Sequence, residues 1–403
     1  MSFDFDSIID RRGTNAMAQE GFRGYLFGGQ APVVLPCADD DALSMWVADM
    51  AFASAPAARN AMVDLIESSP ILGYSSIFGN ELYDTFADWC DRRYDWRPEY
   101  DHVLPTGSIV PALYAFAERY LEPGEAALTL TPAYGYFAKA ALERGRQSVT
   151  SGLVPHGDGT FEIDFDDFAR KVADPNVKMF YLCYPHNPTG KVFSRDELSR
   201  MVELCEANDV LIISDEIHCD LLRGGLTHTP LAKMFPDNHR IITTMSASKT
   251  FNLAGLSFAL VMIPNPELRR IWNETAFILH NPVSVAATLG AFRDGDAWRS
   301  ELLSYLDMNF AYLDKRLSRS LPDAQFTIPD ATYLAWIDLR AYFPARMNLT
   351  RYFAESVGLL LEGGDMFVAD GDGHVRLNLA CPLATVTDGV NRLVAGVQNY
   401  RTT

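Results

Sequence analysis

Val210-Leu211-Ile212-Ile213-Ser214-Asp215-Glu216-Ile217-His218 is the stretch from which the fold can be read. Four consecutive apolar residues without polar alternation mark a strand buried on both faces, as in a parallel sheet covered by helices. The acidic residue at its end then stands at the carboxyl edge of the sheet, where open α/β folds bind ligands. Just upstream, Arg195–Asn208 carries Leu198, Met201, Val202 and Cys205 at helical spacing, with a polar outer face. The alternation extends from about Pro105 to Pro264. Its spacing predicts strands at Ala126–Leu130, Gln147–Leu153, Val177–Cys183, Val210–Ser214, Ile241–Met245 and Phe258–Ile263. The fold class expected is α/β.

Beyond Asn281 the pattern changes. Val283–Arg293 and Trp298–Leu321 read as helices, the second long enough to link two domains. A strand (Tyr333–Asp338), a helix (Leu349–Ser356), two short strands (Leu359–Leu361 and Val375–Leu379) and a final helix (Thr385–Tyr400) follow. That succession predicts a smaller α+β unit. Residues 1–50 have weak periodicity and many glycines, and are expected to cross the surface or a partner subunit. The expected division is an N-terminal segment (1–50), a large domain (51–285) and a small C-terminal domain (286–403), a size that suits 403 residues.

The net charge of −18 argues against a nucleic-acid surface and against docking on anionic lipid, so neither nucleic acid nor membrane is expected as a partner. Six scattered cysteines, with no C-x-x-C pair, are expected to be reduced and not to bind metal. Ser2-Phe3-Asp4-Phe5-Asp6 lacks the basic and apolar regions of a signal peptide, and no apolar run approaches a membrane span. The expected location is the cytoplasm.

Four short stretches follow successive predicted strands or open a helix. Ser246-Ala247-Ser248-Lys249 places a lysine at a strand end, where its amine can form an imine with an aldehyde cofactor and Ser246 and Ser248 can donate to a phosphate. Asp215 can face a pyridine nitrogen and keep it protonated, although a helix cap is the plainer role for such a residue. Asn187, in His186-Asn187-Pro188-Thr189-Gly190, can turn its amide inward to a phenolate oxygen. Gly107-Ser108-Ile109 opens a helix whose first N–H groups can cradle a phosphate. Each alone is weak. Together they are about 80, 28 and 34 residues apart, room for the intervening helices, and all fall on one sheet edge.

With those residues in place the sequence resembles the fold-type I enzymes of pyridoxal 5′-phosphate (PLP), the aspartate aminotransferase superfamily. Within it the chain is similar to the MalY/PatB-like cystathionine β-lyase branch. The likeness runs through Met45-Trp46-Val47-Ala48-Asp49-Met50, Gly73-Tyr74, Tyr184-Pro185-His186-Asn187-Pro188, Ser214-Asp215-Glu216-Ile217-His218, Ser248-Lys249-Thr250-Phe251-Asn252 and Arg376-Leu377-Asn378. The resemblance implies a large domain on a mostly parallel, seven-stranded sheet. It implies that Lys249 holds the cofactor aldehyde, that Asp215 pairs the ring nitrogen and Asn187 the ring oxygen, and that Tyr134 stacks on the ring. Gly107, Ser108, Ile109, Ser246 and Ser248 would hold the phosphate. His218 would face the cofactor or serve as a structural histidine. Arg376 would clamp the substrate carboxylate, and Tyr74 would reach the cofactor of a second subunit in a homodimer.

Eight positions after Lys249, where many aminotransferases carry a phosphate-binding arginine, stands Ser257. That favours carbon–sulfur β-elimination on cystathionine or another L-cysteine S-conjugate. Aminotransfer, or decarboxylation-linked transamination or oxidation, uses the same residues and is the alternative. A PLP-bound regulator without catalysis ranks below both. The chain departs from the branch at Thr14-Asn15-Ala16-Met17-Ala18-Gln19-Glu20, at Met50-Ala51-Phe52 and at Cys381-Pro382-Leu383. These segments lie near the substrate entrance of the branch, so the natural substrate is left open.

Overall fold

The computed structural model describes residues 2–28, 31–74, 80–275 and 280–402; residues 1, 29–30, 75–79, 276–279 and 403 lie outside the described residues. In chain order the strands are β1 (Leu43–Ser44), β2 (Val103–Thr106), β3 (Ala126–Thr131), β4 (Gln147–Pro155), β5 (Phe161–Ile163), β6 (Val177–Cys183) and β7 (Leu211–Asp215). They continue with β8 (Ile241–Met245), β9 (Ala259–Met262), β10 (Leu334–Asp338), β11 (Leu359–Leu360), β12 (Glu362–Gly363) and β13 (His374–Asn378).

The large sheet runs β2-β9-β8-β7-β6-β3-β4-β5. Strands β8, β7, β6, β3 and β4 are mutually parallel, while β2, β9 and β5 pair antiparallel at the two sides. The sheet is mostly parallel as expected, but it has eight strands rather than seven. Neither β2 nor β5 was legible beforehand. The first contains Pro105 and sits on the edge, where a missing N–H is tolerated; the second is only three residues long. All five residues of β7 are buried, which accounts for its uninterrupted apolar run.

Alternate side chains of the strands feed two cores. Met179, Tyr181 and Ile213 point toward Ile109, Leu113 and Phe116 of the helix Ile109–Tyr120. Phe180, Leu182 and Ile212 point the other way, toward Leu198, Met201 and Val202 of the helix Arg195–Ala207. That second helix opens with a capping box in which Ser194 and Glu197 satisfy each other's backbone N–H.

A smaller C-terminal domain carries the antiparallel sheet β10-β13-β12, with the helices Leu349–Val357 and Leu383–Thr402 packed beside it. The 25-residue helix Asp296–Ser320 precedes it. The N-terminal segment does not simply cross the surface: β1 pairs in parallel with β11, and Met45, Trp46 and Met50 are each 1% exposed. Large apolar residues at those positions bury more favourably than they lie on a surface. No helix of the described residues is long and apolar enough to cross a membrane.

Candidate active site

Parallel neighbours end on the same edge of a sheet, so β6, β7 and β8 deliver Asn187, Asp215 and Lys249 to one place. The register pairs Cys183 with Asp215 and Asp215 with Thr244. Asp215 accepts from the Ile217 N–H at 3.2 Å and from Thr244 Oγ1 at 3.4 Å, both on Oδ1. Burial pushes its carboxyl up to about 7. A cation placed opposite would draw it down again and keep it charged.

After β8, Ser246 caps the one-turn helix Ala247–Thr250, accepting from the Ser248 N–H at 3.1 Å and donating to the Phe258 carbonyl at 2.7 Å. Lys249 follows, and its Nζ donates to the Ala48 carbonyl at 2.7 Å, an oxygen that also accepts from the Tyr333 hydroxyl at 2.8 Å. Burial, and then the charge of Arg376, pulls the Lys249 amine down to about 8. Asn252, at φ 57°, adopts the left-handed conformation that asparagine tolerates. Its side chain accepts from the Met50 N–H at 3.0 Å and donates to the Met50 and Phe52 carbonyls at 3.0 and 2.9 Å. The N-terminal segment is thereby strapped to the lysine turn.

Arg376 comes from β13 and is only 2% exposed. It makes an ion pair with Glu362 of β12, donates through Nη1 to Asn187 Oδ1 at 3.1 Å, and through Nη2 to the Trp46 carbonyl at 3.2 Å. The bond to Oδ1 turns the Asn187 amide nitrogen the other way, available as a donor.

These groups share a cavity of about 220 Å³. Of the residues singled out in the sequence, Ile109, Tyr134 and Asn187 line it, as do Asp215, His218, Lys249 and Arg376. Gly107 and Ser108 stand just before the helix Ile109–Tyr120, whose first residues Ile109 and Val110 line the cavity, and Ser108 makes no side-chain cap to its first N–H groups. Ser246 and Ser248 sit behind Lys249 and do not line the cavity; the Ser246 hydroxyl is already directed at Phe258. Tyr74 is 94% exposed, on the outside of the molecule. His218 is buried, and that burial, with Lys249 and Arg376 nearby, lowers its imidazole to about 3 and keeps it neutral.

Sequence reasoning missed Glu362, Tyr25 and Tyr136, which line the same cavity. Glu362 did carry a signal: Leu359-Leu360-Leu361-Glu362 is an apolar run ending on an acid, the same pattern that marked Asp215. Burial raises the Glu362 carboxyl and the charge of Arg376 opposes that rise.

PLP fits this set of residues. A lysine amine with a lowered affinity for protons, a buried carboxylate and an aromatic wall at Tyr134 lie around one cavity. The buried Nδ1 of His218 has no hydrogen-bond partner among the described residues, and the uncapped helix start offers N–H groups, so a polar ligand would complete both.

Residues 42–393 match the family model of class I and II aminotransferases. The chain is 33% identical to the cystathionine β-lyase PatB of Bacillus subtilis, over 98% of this chain and 100% of PatB. It is 30% identical to protein MalY of Escherichia coli, over 99% and 100%. Among solved structures, the PLP-bound C-S lyase of Staphylococcus hominis complexed with L-cycloserine superposes with a TM-score of 0.95 at 41% identity, covering 98% of each chain. The cofactor of the fold and of this site is PLP. On residues 42–393 and on its full-length likeness to PatB, the chain belongs to the PLP-dependent class I and II aminotransferase family, in the group of PatB and MalY.

Proposed function

We propose that the chain is a carbon–sulfur β-lyase that cleaves the Cβ–S bond of cystathionine or another L-cysteine S-conjugate, giving a thiol, pyruvate and ammonia. The observation that carries the proposal is the Lys249 amine, lowered to about 8, in one cavity with Arg376 and Asp215. The named activity of PatB and of the Staphylococcus enzyme supports it.

When bound, PLP supplies an aldehyde for the substrate amine and a ring that accepts the electron pair left at Cα. Lys249 would hold it, with Asp215 toward its nitrogen, the Asn187 amide toward its oxygen, Tyr134 on its face, and the helix start at Gly107, Ser108 and Ile109 toward its phosphate. Arg376 would take the substrate α-carboxylate in a two-pronged pair and so orient the Cα–H bond. Lys249, with an amine near 8, has an unprotonated fraction at neutral pH and removes the Cα proton as general base. The same amine, now protonated, stands ready to deliver that proton to the departing sulfur. His218, held neutral, adds no positive charge that would compete for the base. Asp215, raised by burial to about 7, would be more fully charged opposite a cation.

Incubation with L-cystathionine and S-alkyl cysteines is expected to release thiol and pyruvate in equal amounts. A 2-oxo acid that retains its sulfur would mean aminotransfer instead. Neither product from any conjugate would overturn the lyase proposal.

The active unit is proposed to be a cytoplasmic homodimer with Tyr74 shared across subunits. An exposed apolar stretch, Val63, Ile66, Ile71, Leu72 and Tyr74, supports a second copy of the chain as the partner. All six cysteines are free, which supports a reducing compartment. Tyr74→Phe is expected to loosen cofactor retention about tenfold, the worth of one hydrogen bond to a charged oxygen. Cofactor loss on dialysis measures this and sedimentation gives the mass; a monomer that keeps its cofactor as tightly as before counts against the shared site.

A further inference from the structure

We infer that Asp370 is a positioning residue for the substrate carboxylate: it latches the loop of residues 364–371 onto the end of β3, and the latched loop holds Phe367 against Arg376. The inference rests on the reading of Arg376 as the carboxylate clamp, and is the same whether the reaction is elimination or aminotransfer.

The loop leaves the small sheet at β12 and returns to it at β13. At its base Gly364 and Gly371 cross so closely that a Cβ on either would run into the carbonyl of the other. Between them the loop reaches the large domain at two points. Val368 and Ala133 exchange both backbone hydrogen bonds, at 2.8 and 3.2 Å, one residue before Tyr134. Asp370 Oδ2 accepts from the Thr131 hydroxyl at 2.5 Å. Thr131 is fully buried at the end of β3, and its other acceptor, the Ser151 carbonyl, is 3.5 Å away. In register beside it stands Gly152 of β4, where a Cβ would meet the Asp370 carboxylate at 3.0 Å. Glycine at that position leaves the carboxylate its way to the hydroxyl.

The latch works against strain. Ala369 and Asp370 have φ of 45° and 51°, the left-handed region that residues with a Cβ seldom enter. Two in succession persist only where surrounding contacts fix them, and the contacts here are those to Ala133 and Thr131. Seated in this way, the loop holds Phe367, 8% exposed, with its ring centre 5.1 Å from the Arg376 guanidinium carbon. The same ring meets Trp336 edge-on at 4.9 Å, and Trp336 faces Arg376 across β10 and β13. Hydrogen bonds hold the guanidinium at Nη1 and Nη2, and Phe367 is the restraint that the loop adds. The buried Nε of Arg376 has no hydrogen-bond partner among the described residues, and a substrate carboxylate would supply one. A loop that lifts away takes Phe367 with it and leaves the guanidinium less well aimed.

The test uses the holoenzyme with L-norvaline and with butylamine, the same molecule without its α-carboxylate. Neither has a sulfur to eliminate, and the change in visible absorption gives a dissociation constant for each. Asp370 is exposed, so Asp370→Ala is expected to keep the fold. It should weaken L-norvaline about five- to tenfold, the worth of the lost hydrogen bond, and leave butylamine within about twofold. With S-methyl-L-cysteine the same loss should appear in KM, with kcat within about twofold. Asp370→Asn, which retains an acceptor for Thr131, should recover most of the affinity. Thr131→Val should copy Asp370→Ala, and the double variant should be no worse than either alone. Hydrogen exchange at the Val368 amide should quicken about tenfold in Asp370→Ala while the β13 amides keep their protection. Absence of thiol and pyruvate from cysteine conjugates would sink the lyase proposal and leave the binding constants to decide the latch. L-Norvaline weakened by Arg376→Ala but not by Asp370→Ala would overturn the inference, as would equal weakening of butylamine or unchanged exchange at Val368. A wild type that binds butylamine as tightly as L-norvaline would overturn it together with the Arg376 clamp.

Discussion

Lys249→Ala is expected to lower kcat by about 10⁴-fold or more while leaving the protein folded. The size follows from what the amine does: a positioned general base contributes about 10²–10⁴-fold, and the covalent attachment of the cofactor is lost as well. The residue follows β8 on a one-turn helix, and among the described residues its side chain donates to the Ala48 carbonyl alone, so alanine opens little of the core. Far-ultraviolet circular dichroism should be unchanged. The visible absorption of an imine-linked cofactor should disappear, and borohydride should no longer attach the cofactor to the chain. Turnover of cysteine conjugates within tenfold of wild type would remove Lys249 from the chemistry.

Arg376→Ala is expected to have two separable consequences. Truncating one partner of a buried, hydrogen-bonded charge pair costs about 2–5 kcal/mol of binding, or about 30- to 4,000-fold in kcat/KM, expressed mostly in KM. It also leaves Glu362 buried without its counter-charge, and breaking a buried pair in that way destabilises a fold by about 3–5 kcal/mol. Adding Glu362→Ala should therefore recover much of the thermal stability and none of the activity. Denaturant unfolding and steady-state kinetics on the single and double variants read the two effects independently. A double variant that regained kcat/KM would show that Arg376 serves the fold and does not hold the substrate.

Much of the large domain was legible because a parallel sheet writes itself into the sequence as buried runs followed by polar turns. The strands around Asn187, Asp215 and Lys249 came out within one or two residues, and their ends converge on one cavity. What was not legible depends on contacts between distant segments. Tyr25 reaches the site from the six-residue helix Phe22–Phe27, and Glu362 from the two-residue strand β12, elements too short to show a period. Their meeting is fixed by the tertiary fold and leaves no mark on local pattern. The N-terminal segment was misjudged for the same reason: a two-residue strand such as β1 looks like coil until its partner, more than 300 residues away, is known.

That pairing bears on how the enzyme is made. The Leu43 and Met45 amides donate to the Gly358 and Leu360 carbonyls, the Asn378 amide donates to Met45, and the Ala51 amide to Ala380. Residues 43–51 thus pair their backbone with residues 358–380, while Asn252 and Tyr333 hold the same segment from elsewhere in the chain. The wall that carries Ala48 and Trp46 against Lys249 and Arg376 therefore depends on contacts of high sequence separation, which form slowly relative to the local contacts of the central sheet. Loss of the residues from β13 onward would leave the β1–β11 pair but remove Arg376 and the partners of Met45 and Ala51 at Asn378 and Ala380, and with them one wall of the pocket.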